Sequence, residues 1–246
     1  MKKWKIIRLT MSIVFVVVFV VNAWLIIDYK LDERNAGKLY EEVISNVVTP
    51  VQPDAEIKTP ITVNFETLKA ENPDVVGWLY SADTPINYPV LKGSSNDQYL
   101  HTMLNGKYNK AGSLFADYRM KNTVEEAFNY IIYGHNMKNN TMFGTLTEYK
   151  KQNYYESHKE LYLLTPEKSY LLKAYSGFVT KAGSEIIYKL DHNADTLERY
   201  MTMIKDRSTF KNELVYTKGQ PVVTLSTCAY DYDDARYVLV CIAEEL

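Results

Sequence analysis

The chain has 246 residues, a formal net charge of −2 and 46% hydrophobic residues. This near-neutral balance gives no electrostatic footprint for nucleic acid, and no internal repeat or low-complexity tract points to a solenoid or a disordered chain. With an apolar N-terminal segment set aside, the length suits one domain with a substantial core.

Lys2, Lys3, Lys5 and Arg8 precede an uncharged run over residues 9–27, whose polar breaks are Thr10, Ser12 and Asn22. About 19 such residues cross a hydrocarbon core of about 30 Å as a helix. The basic flank predicts residues 1–8 in the cytoplasm, 9–27 in the membrane and the rest outside the cell. A cleaved signal peptide is the rival reading, with Val21, Asn22 and Ala23 as its cleavage site. Against it, the apolar run continues through Trp24 to Ile27, beyond the end of such a signal. The helical spacing of Leu39, Val43 and Val47 predicts an amphipathic helix after the anchor. Prolines between positions 49 and 60 predict a linker, so residues 28–60 read as helix and linker and 61–246 as the main domain.

Residues 65–72 read as a short helix stopped by Pro73. Short strands bounded by turn residues follow at 76–80, 86–91, 112–115 and 127–133, then at 161–165 and 170–179. Residues 141–155 look helical in part. Residues 195–205 carry Leu197, Met201 and Ile204 on one face, with Asp195 as the expected cap. This pattern predicts a mainly β fold, a sandwich or barrel rather than a parallel sheet, with the 195–205 helix packed outside it.

Two apolar, β-branched stretches, 222–228 and 235–241, flank a six-residue polar segment and read as a hairpin. Antiparallel pairing about that loop sets Arg236 opposite Cys228. A cation beside a thiol favours thiolate and can hold an oxyanion. In the same register Cys241 lies about five positions along the partner strand, on the order of 16 Å away at ~3.3 Å per residue, too far for a disulfide. Cys241 is therefore read as a small apolar core residue. Of the four histidines, His135 ends an apolar strand at a Gly-containing turn, where catalytic groups are often placed. On spacing alone it is equally an ordinary turn histidine. His101, His158 and His192 read as surface or capping residues. Asp231, Asp233 and Asp234 read as a solvated loop, since a hard cation needs six or more oxygens.

Thr224-Leu-Ser-Thr-Cys228, with Arg236 downstream and Tyr-Gly-His135-Asn upstream, resembles the sortases, the cysteine transpeptidases of Gram-positive cell walls, and in particular their class B branch. Supporting stretches lie at 76–79, 86–90 and 112–119, together with the helix inserted before the last two strands, and the resemblance covers about residues 65–245. It implies a closed sortase-type β-barrel with added α-helices, an N-terminal one among them, preceded by one transmembrane helix. Residues 61–246 then form the catalytic domain. Cys228 would attack the carbonyl after threonine in a C-terminal sorting motif of a secreted protein, NPxTN-like or LPxTG-like. Arg236 would hold the oxyanion, and His135 would protonate the leaving amine and deprotonate the incoming one. A peptidoglycan amine would resolve the thioacyl enzyme, with no cofactor or metal required.

Asn96 and Leu100 match positions that line the class B substrate groove, and Ser226 and Thr227 are carried over with them. Ser226 shares a strand face with Cys228, and is equally well read as a half-buried strand hydroxyl. The seven residues between Cys228 and Arg236 make a short loop for class B. Two other readings compete: a Cys/His peptidase or amidase that releases wall peptides to water, and a non-enzymatic wall-binding module.

Overall fold

The computed structural model describes residues 2–52, 57–121, 123–184 and 193–246. Its first element, α1, is one unbroken helix, Lys2–Val47. The expected anchor and amphipathic helix are thus continuous: no proline lies between Ile27 and Leu39, and the helix runs through the isolated Asn35 and Gly37. Residues 3–27 are long and apolar enough to cross a membrane by length and composition, and bury nothing against the protein apart from a partly covered Ala23. The later part buries Ala36, Tyr40, Val43 and Val47. Beyond Val47 the expected linker begins as a strand. β1 (Val48–Pro50) pairs antiparallel with β2 (Ile61–Val63), fastening the end of α1 to the body. Val48 and Thr49 favour strand over helix, and Pro50 closes it. Residues 53–56 of the linker lie outside the described residues.

Helix α2 (Phe65–Glu71) is capped by Asn64, whose carboxamide oxygen accepts from the Thr67 N–H at 3.0 Å. The barrel strands follow: β3 (Val75–Tyr80), β4 (Asn87–Leu91), β5 (Leu114–Ala116), β6 (Asn129–Tyr133), β7 (Glu160–Leu164), β8 (Ser169–Lys181), β9 (Val222–Cys228) and β10 (Ala235–Glu245). Among the described residues these eight strands close into a barrel in the order β10-β8-β7-β3-β4-β5-β6-β9. Six of the eight joints are antiparallel, and three of them, β3–β4, β7–β8 and β9–β10, are closed by short loops. The β4–β5 and β6–β9 joints are parallel and need long crossovers. The start of the expected 127–133 strand is instead helical. Thr123 caps α3 (Val124–Ala127), and Phe128, at φ 55°, turns the chain into β6.

A 3₁₀ turn (Leu146–Lys150) and α4 (Gln152–Ser157) account for the partly helical 141–155 stretch. Helix α5 (Ala194–Lys205) packs outside the barrel, as expected: Leu197, Tyr200, Met201 and Ile204 bury against Phe178, Val238 and Val240. Its cap is Asn193 rather than Asp195. The extended backbone at Asn193 lets its side chain accept from Thr196 N–H while the Thr196 hydroxyl accepts in return. Asp195 falls in the first turn and pairs with Lys218. Inside the barrel, Leu79, Ile131, Leu163, Leu225 and Leu239 are essentially fully buried.

Candidate active site

β9 and β10 pair in the expected register, Arg236 opposite Cys228 and Cys241 opposite Val223. Both cysteines are free thiols; Cys228 is half-buried at the strand end and Cys241 fully buried. Burial pushes the Cys241 thiol up, out of the range of nucleophilic chemistry. Cys241→Ser should therefore leave turnover standing while costing about 1–3 kcal/mol of stability, because a buried hydroxyl replaces an apolar sulfur. Chemical denaturation alongside an activity assay checks both halves of that expectation.

His135 arrives from the other side of β9. The parallel β6–β9 joint sets Tyr133 opposite Ser226. The next residue, Gly134, donates its N–H to Ser226 O at 3.2 Å and accepts from the Thr227 hydroxyl at 2.8 Å. A Cβ at Gly134 would run into Leu114 and Phe143, so glycine is what lets the strand close here. One residue past His135, the Asn136 amide donates to Cys228 O at 2.8 Å. Strand pairing and these side-chain bonds thus fix where His135 leaves the barrel relative to the cysteine.

All seven residues expected at the site line one cleft of about 260 Å³: Asn96, Leu100, His135, Ser226, Thr227, Cys228 and Arg236. Asp97, Phe115, Tyr133 and Gly134 complete its wall. Thr227 borders the cleft with its hydroxyl committed to Gly134 O. Asn96 is likewise engaged: its amide donates to Asp117 at 3.1 Å and its oxygen accepts from Tyr118 N–H at 3.1 Å. Asp117 is the hub of this wall, also accepting from the Tyr133 hydroxyl at 2.9 Å and from the Arg119 guanidinium at 2.7 and 2.9 Å. Burial pushes the Asp117 carboxyl up, but the hydrogen bonds from Arg119, Tyr133 and Asn96 outweigh it and hold the carboxyl below its usual range.

The imidazole of His135 is clamped by two successive residues. Its Nε2 lies 2.7 Å from Leu100 O. A carbonyl only accepts, so Nε2 carries the proton and Nδ1 is left for proton exchange. Gly112 makes this approach feasible. At φ 56° it lies against the Leu100 and Tyr99 carbonyls, where a side chain would collide. The ring of exposed His101 stacks on that of His135 at 5.4 Å and 18°. Burial first, then the charges of His101 and Arg236, lower the His135 pKa below its ordinary value against the opposing pull of Leu100 O. Arg236 donates from Nη1 to Ala235 O at 3.0 Å, and among the described residues no carboxylate forms a salt bridge with it. Its guanidinium is therefore available to an oxygen in the cleft.

The surface reading of His101 is correct for its exposure but omits the stacking on His135, which no periodicity in the sequence could signal. His158 caps the C-terminus of α4 as expected, and His192 lies outside the described residues. In the hairpin loop, Asp231 pairs with Lys150 at 2.6 Å. Phe115 and Tyr133 in the wall, and the buried Asp117 behind it, were not anticipated. The alternation of β6 toward the cleft is the one signal that could have found Tyr133.

The Sortase domain family model matches residues 79–245. Sortase B of Staphylococcus aureus is 28% identical over 235 residues, spanning 95% of this chain and 94% of its own length. The crystal structure of Clostridium perfringens sortase B superposes with a TM-score of 0.69 at 30% identity, covering 74% of this chain and 100% of that one. The Staphylococcus aureus sortase B–substrate complex gives a TM-score of 0.72 at 29% identity, covering 89% and 99%. The chain belongs to the sortase family and is a cysteine transpeptidase acting on sorting motifs. Within that family it is a class B sortase, with the closed barrel and added helices of that group.

Proposed function

We propose that Cys228 is the nucleophile, Arg236 the oxyanion donor and His135 the general acid and base of this transpeptidase. The observation that carries the reading is the register placing Arg236 opposite Cys228 at the mouth of the cleft that His135 also lines. Cys228 passes its thiol proton to Nδ1 of His135 as Sγ attacks the threonine carbonyl carbon of an NPxTN-like or LPxTG-like motif. The carbonyl oxygen takes the negative charge and meets Arg236. As the C–N bond breaks, His135 gives its proton to the leaving amine and a thioester remains on Cys228. The acceptor amine then attacks the thioester, His135 takes its proton, and the thiolate leaves as the new amide forms. Asn96, Leu100, Ser226 and Thr227 shape the groove for the motif.

The acceptor is a peptidoglycan amine. A sortase B has been solved in complex with triglycine, an amine-bearing peptide that supports this class of acceptor. Residues 9–27 hold the protein in the cell membrane as a single pass, with residues 1–8 cytoplasmic and 61–246 outside as the catalytic domain. The test is incubation with NPxTN-type and LPxTG-type peptides, with and without a glycine oligomer or diaminopimelate, followed by mass spectrometry. An adduct on Cys228, cleavage after threonine and an amine-dependent ligated product are expected. Cleavage with no ligated product under any amine would favour a hydrolase.

Arg236→Lys should lose about 100-fold or more in kcat/KM despite keeping the charge, because lysine lacks the planar fork that reaches an oxyanion and a peptide oxygen together. Steady-state kinetics on the ligated peptide would show this. Rates near those of the parent would remove Arg236 from the oxyanion role.

A further inference from the structure

The unbroken course of α1 fixes where the cleft lies relative to the apolar segment. The first ties between α1 and the barrel come directly after Ile27. Lys110 pairs with Asp28 and lies 3.5 Å from Asp32. The Asn109 amide donates to Asp32 O at 2.9 Å, and the Lys138 backbone N–H meets the Tyr29 phenol. At ~1.5 Å of rise per residue, these contacts fall within about 8 Å of the end of the apolar run. Farther along, the Tyr40 hydroxyl donates to Gly112 O at 2.9 Å and holds the same loop against the helix.

The two loops that meet α1 there are the loops that build the cleft. Residues 100–113 begin with Leu100 and His101, the clamp on His135, and residues 136–142 follow His135 itself. A second cleft of about 150 Å³, lined by Glu33, Gly37, Met137 and Met142, runs between α1 and the latter loop. Lys107, Tyr108, Lys138, Asn139 and Asn140 are exposed on these loops, Tyr108 by 69%. Of the acidic residues of α1 beside these loops, Asp28 and Asp32 are matched by Lys110 and Glu33 by Lys30 at 2.6 Å, while Glu41 and Glu42 border the loops farther from the apolar run. Among the described residues neither Lys107 nor Lys138 forms a salt bridge. The exposed charge of the two loops is therefore positive, and a tyrosine stands between.

We propose that this end of the barrel rests on an anionic lipid surface, with Lys107, Tyr108 and Lys138 among the headgroups, so that the cleft opens at the level of the bilayer. The proposal rests on the reading of residues 9–27 as a membrane span, and adds a second contact with the membrane made by the catalytic body. Tyrosine suits that layer because its ring is apolar and its hydroxyl wet, and lysines there gain from anionic headgroups within a Debye length. The contact reaches the chemistry by a short path. The Tyr108 ring lies 5.8 Å from that of His101, which stacks on His135.

The test uses the full chain in nanodiscs of phosphatidylglycerol and phosphatidylcholine, in a Cys228→Ala, Cys241→Ser background. Spin labels are attached singly through Trp24→Cys, Tyr108→Cys, Lys138→Cys and Val215→Cys. Power saturation with oxygen and a nickel chelate then reads the depth of each label. The label at 24 should lie in the hydrocarbon, and that at 215 in water. Nickel accessibility at 108 and 138 should fall at least about threefold below that at 215. A hydrocarbon signal at 24 with labels at 108 and 138 as accessible as at 215 would overturn the lipid contact and leave the anchor intact. A water-exposed label at 24 would overturn the anchor, and the proposal with it.

Discussion

Cys228→Ala should abolish transpeptidation, by at least about 10,000-fold in kcat, while the barrel stays folded. The size of the effect follows from the chemistry: without the sulfur no thioester forms, and an amine would have to displace an amide directly. The fold survives because Cys228 is half-buried at a strand end and takes part in the core through its backbone, which pairs with Arg236 and accepts from Asn136. Alanine preserves both. The measurement is peptide ligation followed by mass spectrometry, with thermal melting beside it. A variant that melts normally yet still forms ligated product would end the covalent mechanism.

His135→Asn should lower kcat by about 100- to 10,000-fold. Asparagine removes the titrating group and, being shorter than the imidazole, also gives up the Nε2–H bond to Leu100 O. The loss should be smaller for substrates with a good leaving group, since protonation of the departing amine is the step being removed. The same substitution carries a stability signature. Folding lowers the His135 pKa below the ~6.5 of a free imidazole. Between the two values the unfolded chain binds more protons than the folded one, so this residue makes stability rise with pH across that window and withdraws it as pH falls. The asparagine variant should lack that component in melts between pH 7 and 5. A parent-like pH dependence would show that other groups set it.

The hairpin was legible because two apolar, β-branched stretches and a six-residue loop leave one sensible pairing, and that pairing already sets Arg236 against Cys228. The helix after β8 was legible from its apolar stripe, although its cap was misplaced by two residues, from Asn193 to Asp195. His135 was ambiguous from spacing, and only the resemblance singled it out. What brings it to Cys228 is a parallel joint between strands about ninety residues apart, and nothing local in either strand encodes that partner. For the same reason the His101 stack and the Asp117 hub escaped notice, since each depends on segments that meet through the closed sheet. The helix expected after the anchor is present, as the direct continuation of α1. A change from apolar to amphipathic composition marks a change of surroundings, and the backbone runs through it unbroken.

The spacing of the two thiols has a consequence for biogenesis. In the native register Cys228 pairs with Arg236 while Cys241 pairs with Val223, so the folded sheet holds them apart. Before the hairpin forms, they are thirteen residues apart on a mobile chain and meet readily. In an oxidising medium a bridge formed at that stage would pin the two strands out of register and block barrel closure. Folding therefore has to outrun oxidation, and hairpin formation on a scale of about 1–10 μs, against seconds or longer for disulfide formation, would keep Cys228 reduced for its proposed role.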